Sequence, residues 1–141
     1  MAERLRASVR WTRKLHFTGR AEFAHDVPID HAPPLGEGQG ISPMEVLLMS
    51  LAGCSGQTVA SLLEKMRQDV RAFSVTASGA KRDDHPRVFT DIRLEFRIEG
   101  NALDRALIEK ALRLTEEKYC PVWAMLKGHV PIAASIVLTS P

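Results

Sequence analysis

The sequence predicts an α+β domain, and three observations carry that prediction. Two segments near the N-terminus and three farther along alternate apolar and polar residues with a period of two, as half-buried strands do. Two other segments repeat apolar residues at helical spacing. The two kinds mix in the order ββ-α-ββ-α-β, hairpins between helices, which is the pattern of an α+β fold. At 141 residues the chain suffices for one domain with one core, read as residues 1–141.

The first strand runs from Leu5 to Phe17. Its odd positions (Leu5, Ala7, Val9, Trp11, Leu15, Phe17) are apolar except for Arg13. Thr18-Gly19-Arg20 follows as a turn, and Ala21, Phe23, His25, Val27 and Ile29 form a second alternating run. A three-residue loop that pairs Phe17 with Ala21 keeps both apolar sets on one face. Residues 30–41, punctuated by Pro33, Pro34, Gly36, Gly38 and Gly40, form a loop. Ser42-Pro43-Met44-Glu45 then opens a helix over 43–68, with Ser42 as N-cap, Pro43 at the first helical position and Glu45 at the capping-box position.

From Val46 to Ala52 that helix is apolar almost all round, and past Gly56 it narrows to a stripe of Val59, Leu62, Leu63 and Met66. A helix end that is apolar on every side is buried on every side. One domain of this size hardly surrounds it alone, so a partner subunit is expected to cover part of it. Phe73, Val75 and Ala77 mark a short strand and Val88 to Ile98 a long one, joined through the turn Arg82-Asp83-Asp84-His85-Pro86. Asn101 caps a second helix with the stripe Leu103, Leu107, Ala111 and Leu114. It ends near Tyr119-Cys120-Pro121, because proline disfavours helical conformation in the residue before it. A short helical turn over Val122–Leu126 and a last strand from Val130 to Leu138 complete the order.

The net charge of +2 is too small to suggest a polyanion, and the basic residues form no run of five, so nucleic acid is not an expected partner. The strongly apolar stretch Val46–Ala52 falls far below a membrane span, so a membrane is not expected either. The N-terminal residues contain no hydrophobic signal region, and a cytoplasmic address is the expectation. Two cysteines are too few for a disulfide scaffold or for a cysteine-only zinc site. No cofactor or metal is expected; a metal site built from His25, His31 and a cysteine lacks helical ligand spacing.

Cys54 lies in Leu51-Ala52-Gly53-Cys54-Ser55-Gly56, about three turns into the long helix. Each flanking glycine costs roughly 1 kcal/mol against alanine inside a helix. Either the small residues let another element approach closely, or they keep access to the sulfur open. Cys120 precedes Pro121; if Pro121 starts a helical turn, Cys120 is its N-cap, where the helix dipole favours a thiolate. The alternative is a loop cysteine beside a proline. The two lie 66 residues apart on different helices, so only tertiary structure can bring them together. A thiol pair so joined can be a redox pair, one sulfur forming a sulfenic acid that the other captures.

Ser42-Pro43-Met44-Glu45 followed by Ala52-Gly53-Cys54, with Tyr119-Cys120-Pro121-Val122 later, resembles the OsmC/Ohr family of bacterial proteins over nearly the whole chain. The resemblance implies an OsmC/Ohr-like fold and an intertwined homodimer with two long helices at its centre. It implies reduction of a small organic hydroperoxide in oxidative-stress defence, with Cys54 attacking, Cys120 resolving and a dithiol reductant restoring the pair. The residues alone favour Cys120 as the better activated thiol.

Two departures mark a divergent branch of the organic hydroperoxide reductases. Where the family's peroxidases carry a carboxylate directly after the motif proline, this chain has Met44, and Glu45 comes one residue later. The loop 30–41 holds no arginine to favour the thiolate and orient the peroxide. Arg20, at the hairpin turn, and Arg13, among inward positions and opposite His25, are the substitutes. Catalytic candidates are therefore Cys54, Cys120, Arg13, Arg20 and Glu45. The alternative is a non-catalytic dimer of this family that binds a small hydrophobic ligand or senses redox state.

Overall fold

Strands form where the alternation is, but the chain turns earlier than the alternation suggests. In the computed structural model, which describes residues 2–23 and 25–141, the chain divides into two units, residues 1–47 and 48–141. Met1, which heads the N-terminal reading, and Ala24, inside the second alternating run, lie outside the described residues.

The first unit holds a three-stranded antiparallel sheet in the order β1 (Ala7–Arg13), β2 (His16–Ala21), β3 (Val27–Ile29). The first turn sits at Lys14-Leu15, with Lys14 at φ 46°, and not at Thr18-Gly19-Arg20. A two-residue loop ordinarily swaps the parity of inward positions between strands. Here the register shifts between Trp11 and Arg13, so Ala7 pairs with Ala21, Val9 with Gly19 and Trp11 with Phe17. From Trp11 outward odd stays opposite odd, so the shift hides the turn from the period-two pattern. Gly19 is a mid-strand residue, where a Cβ would make only ordinary contacts, 3.4 Å from the Val27 carbonyl oxygen and 3.5 Å from Ile29 Cδ1. Arg13 therefore pairs across from His16 rather than His25, and Arg20 lies within β2 opposite Ser8 rather than at a turn.

Beyond β3 the loop is organised by Asp30. Its carboxylate, 1% exposed, accepts the backbone N–H groups of His31 (2.8 Å), Glu37 (3.2 Å) and Gln39 (3.1 Å). Helix α1 (Pro43–Lys65) follows. By length and composition α1 is apolar enough to cross a membrane, which the stretch 46–52 alone does not suggest. Its stripe Leu51, Ser55, Val59, Leu63 is buried, as in the core helix of a globular unit.

The second unit carries the sheet β4 (Asp69–Lys81), β5 (Phe89–Asn101), β6 (Ile132–Thr139), in that order. Strands β4 and β5 form an antiparallel hairpin, and β6 lies parallel to β5. A parallel partner requires a crossover, supplied by α2 (Arg105–Leu114), a wide π-turn (Thr115–Tyr119) and α3 (Pro121–Leu126). Strand β4 is longer than its apolar residues indicate, because Ser74, Thr76, Ser78 and Gly79 pair with β5 without adding to the apolar pattern. Asn101 is the last residue of β5, its Nδ2 donating to Asp69 at 3.0 Å, and does not cap α2. The N-cap is Asp104, which accepts from Ala106 N (3.0 Å) and Leu107 N (3.4 Å). Leu51, Val59 and Leu63 of α1 meet Ile92, Leu94, Phe96 and Ile98 of β5, with Ile108, Ala111, Cys120 and Trp123, in one core.

The two three-stranded sheets and the long helix make the molecule an α+β fold; α3 stands where the short helical turn was expected, and the first unit has one strand, β3, more than the order read from sequence.

Candidate functional site

Cys54 is half-buried on α1, packed against the core that contains Cys120, and both thiols are free. The flanking glycines divide between the two roles foreseen for them. A Cβ on Gly56 would meet Val75 Cγ2 at 3.3 Å, so this residue lets β4 approach. A Cβ on Gly53 would meet nothing within 4 Å among the described residues, which leaves the helix open beside Cys54. Around them, Ser55 Oγ donates to the Leu51 carbonyl (2.8 Å) and Thr58 Oγ1 to the Cys54 carbonyl (3.1 Å).

Cys120 ends the π-turn in an extended conformation (φ −86°, ψ 106°) and is the N-cap of α3, with Pro121 next. Its Sγ accepts the Trp123 N–H at 3.4 Å, the bond an N-cap makes with the third helical residue. The sequence located this cap, but its inferred consequence, a favoured thiolate, is overturned. Burial pushes the thiol up to about 11; the Trp123 N–H pulls it down and is outweighed. The Cys54 thiol is a hydrogen-bonding and charge neighbour of Cys120, and it too opposes ionisation there. The fold thus brings together two sulfurs 66 residues apart and keeps Cys120 protonated at neutral pH.

The other candidates have partners of their own. Glu45 Oε1 accepts from Ser42 N (3.1 Å) and Ser42 Oγ (2.7 Å), and Ser42 Oγ accepts the Glu45 N–H at 3.4 Å: a complete capping box. The Ser42 hydroxyl, foremost, holds the Glu45 carboxyl below its usual range. Arg13 is 61% exposed and pairs with Glu37 at 2.7 Å, which corrects its reading as an inward residue. Arg20 is 64% exposed and grips Asp26 through Nε (3.0 Å) and Nη2 (3.1 Å). No three His, Cys, Asp or Glu side chains lie close enough to hold a metal among the described residues.

Sequence reasoning missed Trp123, Thr115 and Asp30. Trp123 was findable, since the N-cap rule aims Cys120 at the N–H two or three residues on. Thr115 and Asp30 act through backbone bonds that no side-chain pattern announces.

The family model for OsmC-like proteins matches residues 36–135, a span that includes both cysteines. This chain belongs to the OsmC-like family. Protein YhfA of Escherichia coli strain K12 is 37% identical to this OsmC-like chain over 131 residues, covering 93% of it and 96% of YhfA. Among solved structures, a hypothetical protein from Aquifex aeolicus VF5 superposes with a TM-score of 0.88 at 26% identity, over 99% of each chain. The organic hydroperoxide resistance protein OhrB of Bacillus subtilis superposes with a TM-score of 0.63 at 17% identity, over 95% of this chain and 98% of OhrB. At that identity the likeness to OhrB is one of fold.

Proposed function

We propose that this OsmC-like protein is a thiol-dependent peroxidase that reduces organic hydroperoxides through Cys54 and Cys120. The observation that carries the reading is the pairing of two free thiols from different helices, one half-buried and one buried and protonated.

The half-buried Cys54 is the thiol a peroxide can reach. Its thiolate attacks the terminal peroxide oxygen; the O–O bond breaks, the alkoxide takes a proton and leaves as alcohol, and Cys54 becomes a sulfenic acid. The Cys120 thiol then attacks the Cys54 sulfur, the S–S bond forms and water leaves with the Cys120 proton. A dithiol reductant regenerates both thiols by two exchanges. An arginine beside the attacking thiol would favour its thiolate; Arg13 and Arg20, paired to Glu37 and Asp26, serve the first sheet in this reading. Glu45, engaged by Ser42, serves the helix in this reading. The functional unit is a homodimer in the cytoplasm, its oxidant a small organic hydroperoxide and its reductant a dithiol.

Cumene hydroperoxide should convert the wild type to an intrachain disulfide, read by mass as the loss of two hydrogens. Cys120→Ser should consume about one equivalent and stop as sulfenic acid or overoxidise, and Cys54→Ser should consume almost none. The opposite pattern would reverse the roles. Should no form react faster than a free thiol of matched pKa, the peroxidase reading fails and the ligand-binding or redox-sensing alternative takes its place; Met44 in the position of the motif carboxylate already favours that alternative.

A further inference from the structure

The turn that delivers Cys120 is wider than an α-helix, and one buried hydroxyl accompanies it. Along α2, Ile108, Ala111 and Thr115 are buried at spacings of three and four, so an α-helical continuation would carry Tyr119 inward. Instead, Cys120 donates its N–H to the Thr115 carbonyl five residues back, at 2.9 Å. Tyr119 stays 47% exposed, and Cys120 takes the inward place at 2%.

Thr115 is bonded on both sides of this turn. Its side chain is fully buried, and Oγ1 donates to the Ala111 carbonyl at 2.8 Å. Its own carbonyl holds the Cys120 N–H, while the Trp123 N–H holds the Cys120 sulfur. In this apolar surrounding a valine would fill the same space, so packing alone does not ask for a hydroxyl. The same bond leaves α1 regular at Ser55 and Thr58, in mid-helix with turns continuing on both sides. Thr115 instead lies where the helix ends before Pro121, and there a hydroxyl bonded four residues back biases the last turn, while single π-turns occur frequently at functional sites.

We infer that Thr115 is a positioning residue for the thiol pair: its hydroxyl, bonded back to Ala111, keeps the turn wide and so holds Cys120 against Cys54. The inference rests on the thiol pair of the proposed function and is independent of which oxidant the pair serves.

The test equilibrates the full-length protein with reduced and oxidised glutathione and measures the effective concentration of the two thiols from the disulfide fraction. Thr115→Val, which removes the hydroxyl and keeps the shape, should lower the effective concentration about tenfold, the weight of one ordering hydrogen bond. Thr115→Ser, which keeps the hydroxyl, should stay within about twofold of wild type. Thermal melts of each reduced variant separate this effect from general destabilisation, because a merely structural residue would change the melt and leave the thiol equilibrium where it was. An unchanged equilibrium in folded Thr115→Val overturns the inference. If valine does not fold, Thr115→Ala against Thr115→Ser decides it, and equal values for those two overturn it as well. A wild type that forms no intrachain disulfide at any glutathione ratio removes the thiol pair itself, and the proposed function with it.

Discussion

Asp30 and Cys120 are both buried, yet their protons respond in opposite directions. Asp30 loses water but gains three backbone N–H donors, His31 foremost, and its carboxyl falls below the usual range. Cys120 has burial as its largest influence, and the Trp123 and Val122 N–H groups, donating to a weak acceptor, do not offset it. The Asp30 asymmetry has a consequence for stability. The unfolded chain takes up the Asp30 proton near pH 3.9, and the folded chain takes it up at lower pH. Asp30 therefore stabilises the loop fully above its unfolded value, and that contribution disappears as pH falls through the folded value. Melts between about pH 3 and 7 should show Asp30→Asn melting lower at neutral pH, with a flatter decline toward acid. Parallel curves for variant and wild type would remove Asp30 as the organiser of the loop.

Among the elements, α1 was the most legible in sequence and the N-terminal sheet the least. Ser42, Pro43 and Glu45 announce the helix start by side-chain chemistry that is local, and the structure has that box bond for bond. Ser42→Ala should cost about 1 kcal/mol in urea denaturation, and a loss much smaller than that would mean the helix start is held by packing alone. In β1 and β2 the decisive event was a one-residue register shift between Trp11 and Arg13, which cancels the parity change of the two-residue turn and so leaves no trace in a period-two scan. Gly19 and Arg20 looked like a turn because glycine marks turns more often than it stands within a strand. The candidate site divides in the same manner. Both cysteines and the Cys120 cap were legible, being residue types at fixed offsets. The burial that keeps Cys120 protonated was not, since it belongs to Trp123 and a core assembled from distant segments.

At the scale of the whole molecule, apolar surface remains unburied in each unit taken by itself. In the first, Val9 is 57% and Trp11 62% exposed; in the second, Met49 on α1 is 56% exposed. Val9 and Trp11 lie two residues apart on one face of β1, and exposed apolar surface of this kind marks an association site, which supports the homodimer of the proposed function. Sedimentation at micromolar concentration should give roughly twice the chain mass of 15.6 kDa, and Met49→Lys should shift the population toward monomer. A wild type that sediments as a clean monomer would remove the dimer from the proposal.

The placement of the two tryptophans gives each unit its own optical signal. Trp11 lies on the exposed side chain surface of β1, in the first unit, and Trp123 lies 1% exposed in the core of the second. An indole in water emits to the red of one in an apolar core, so the emission spectrum is a sum of two separable bands. The red side of the emission reports the first sheet and would shift blue if the proposed second copy covers Trp11. The blue band reports the second core from three residues beyond Cys120, where a change in the state of that sulfur alters its quenching. One cuvette would thus test both the proposed assembly and the proposed sulfur chemistry, without a label.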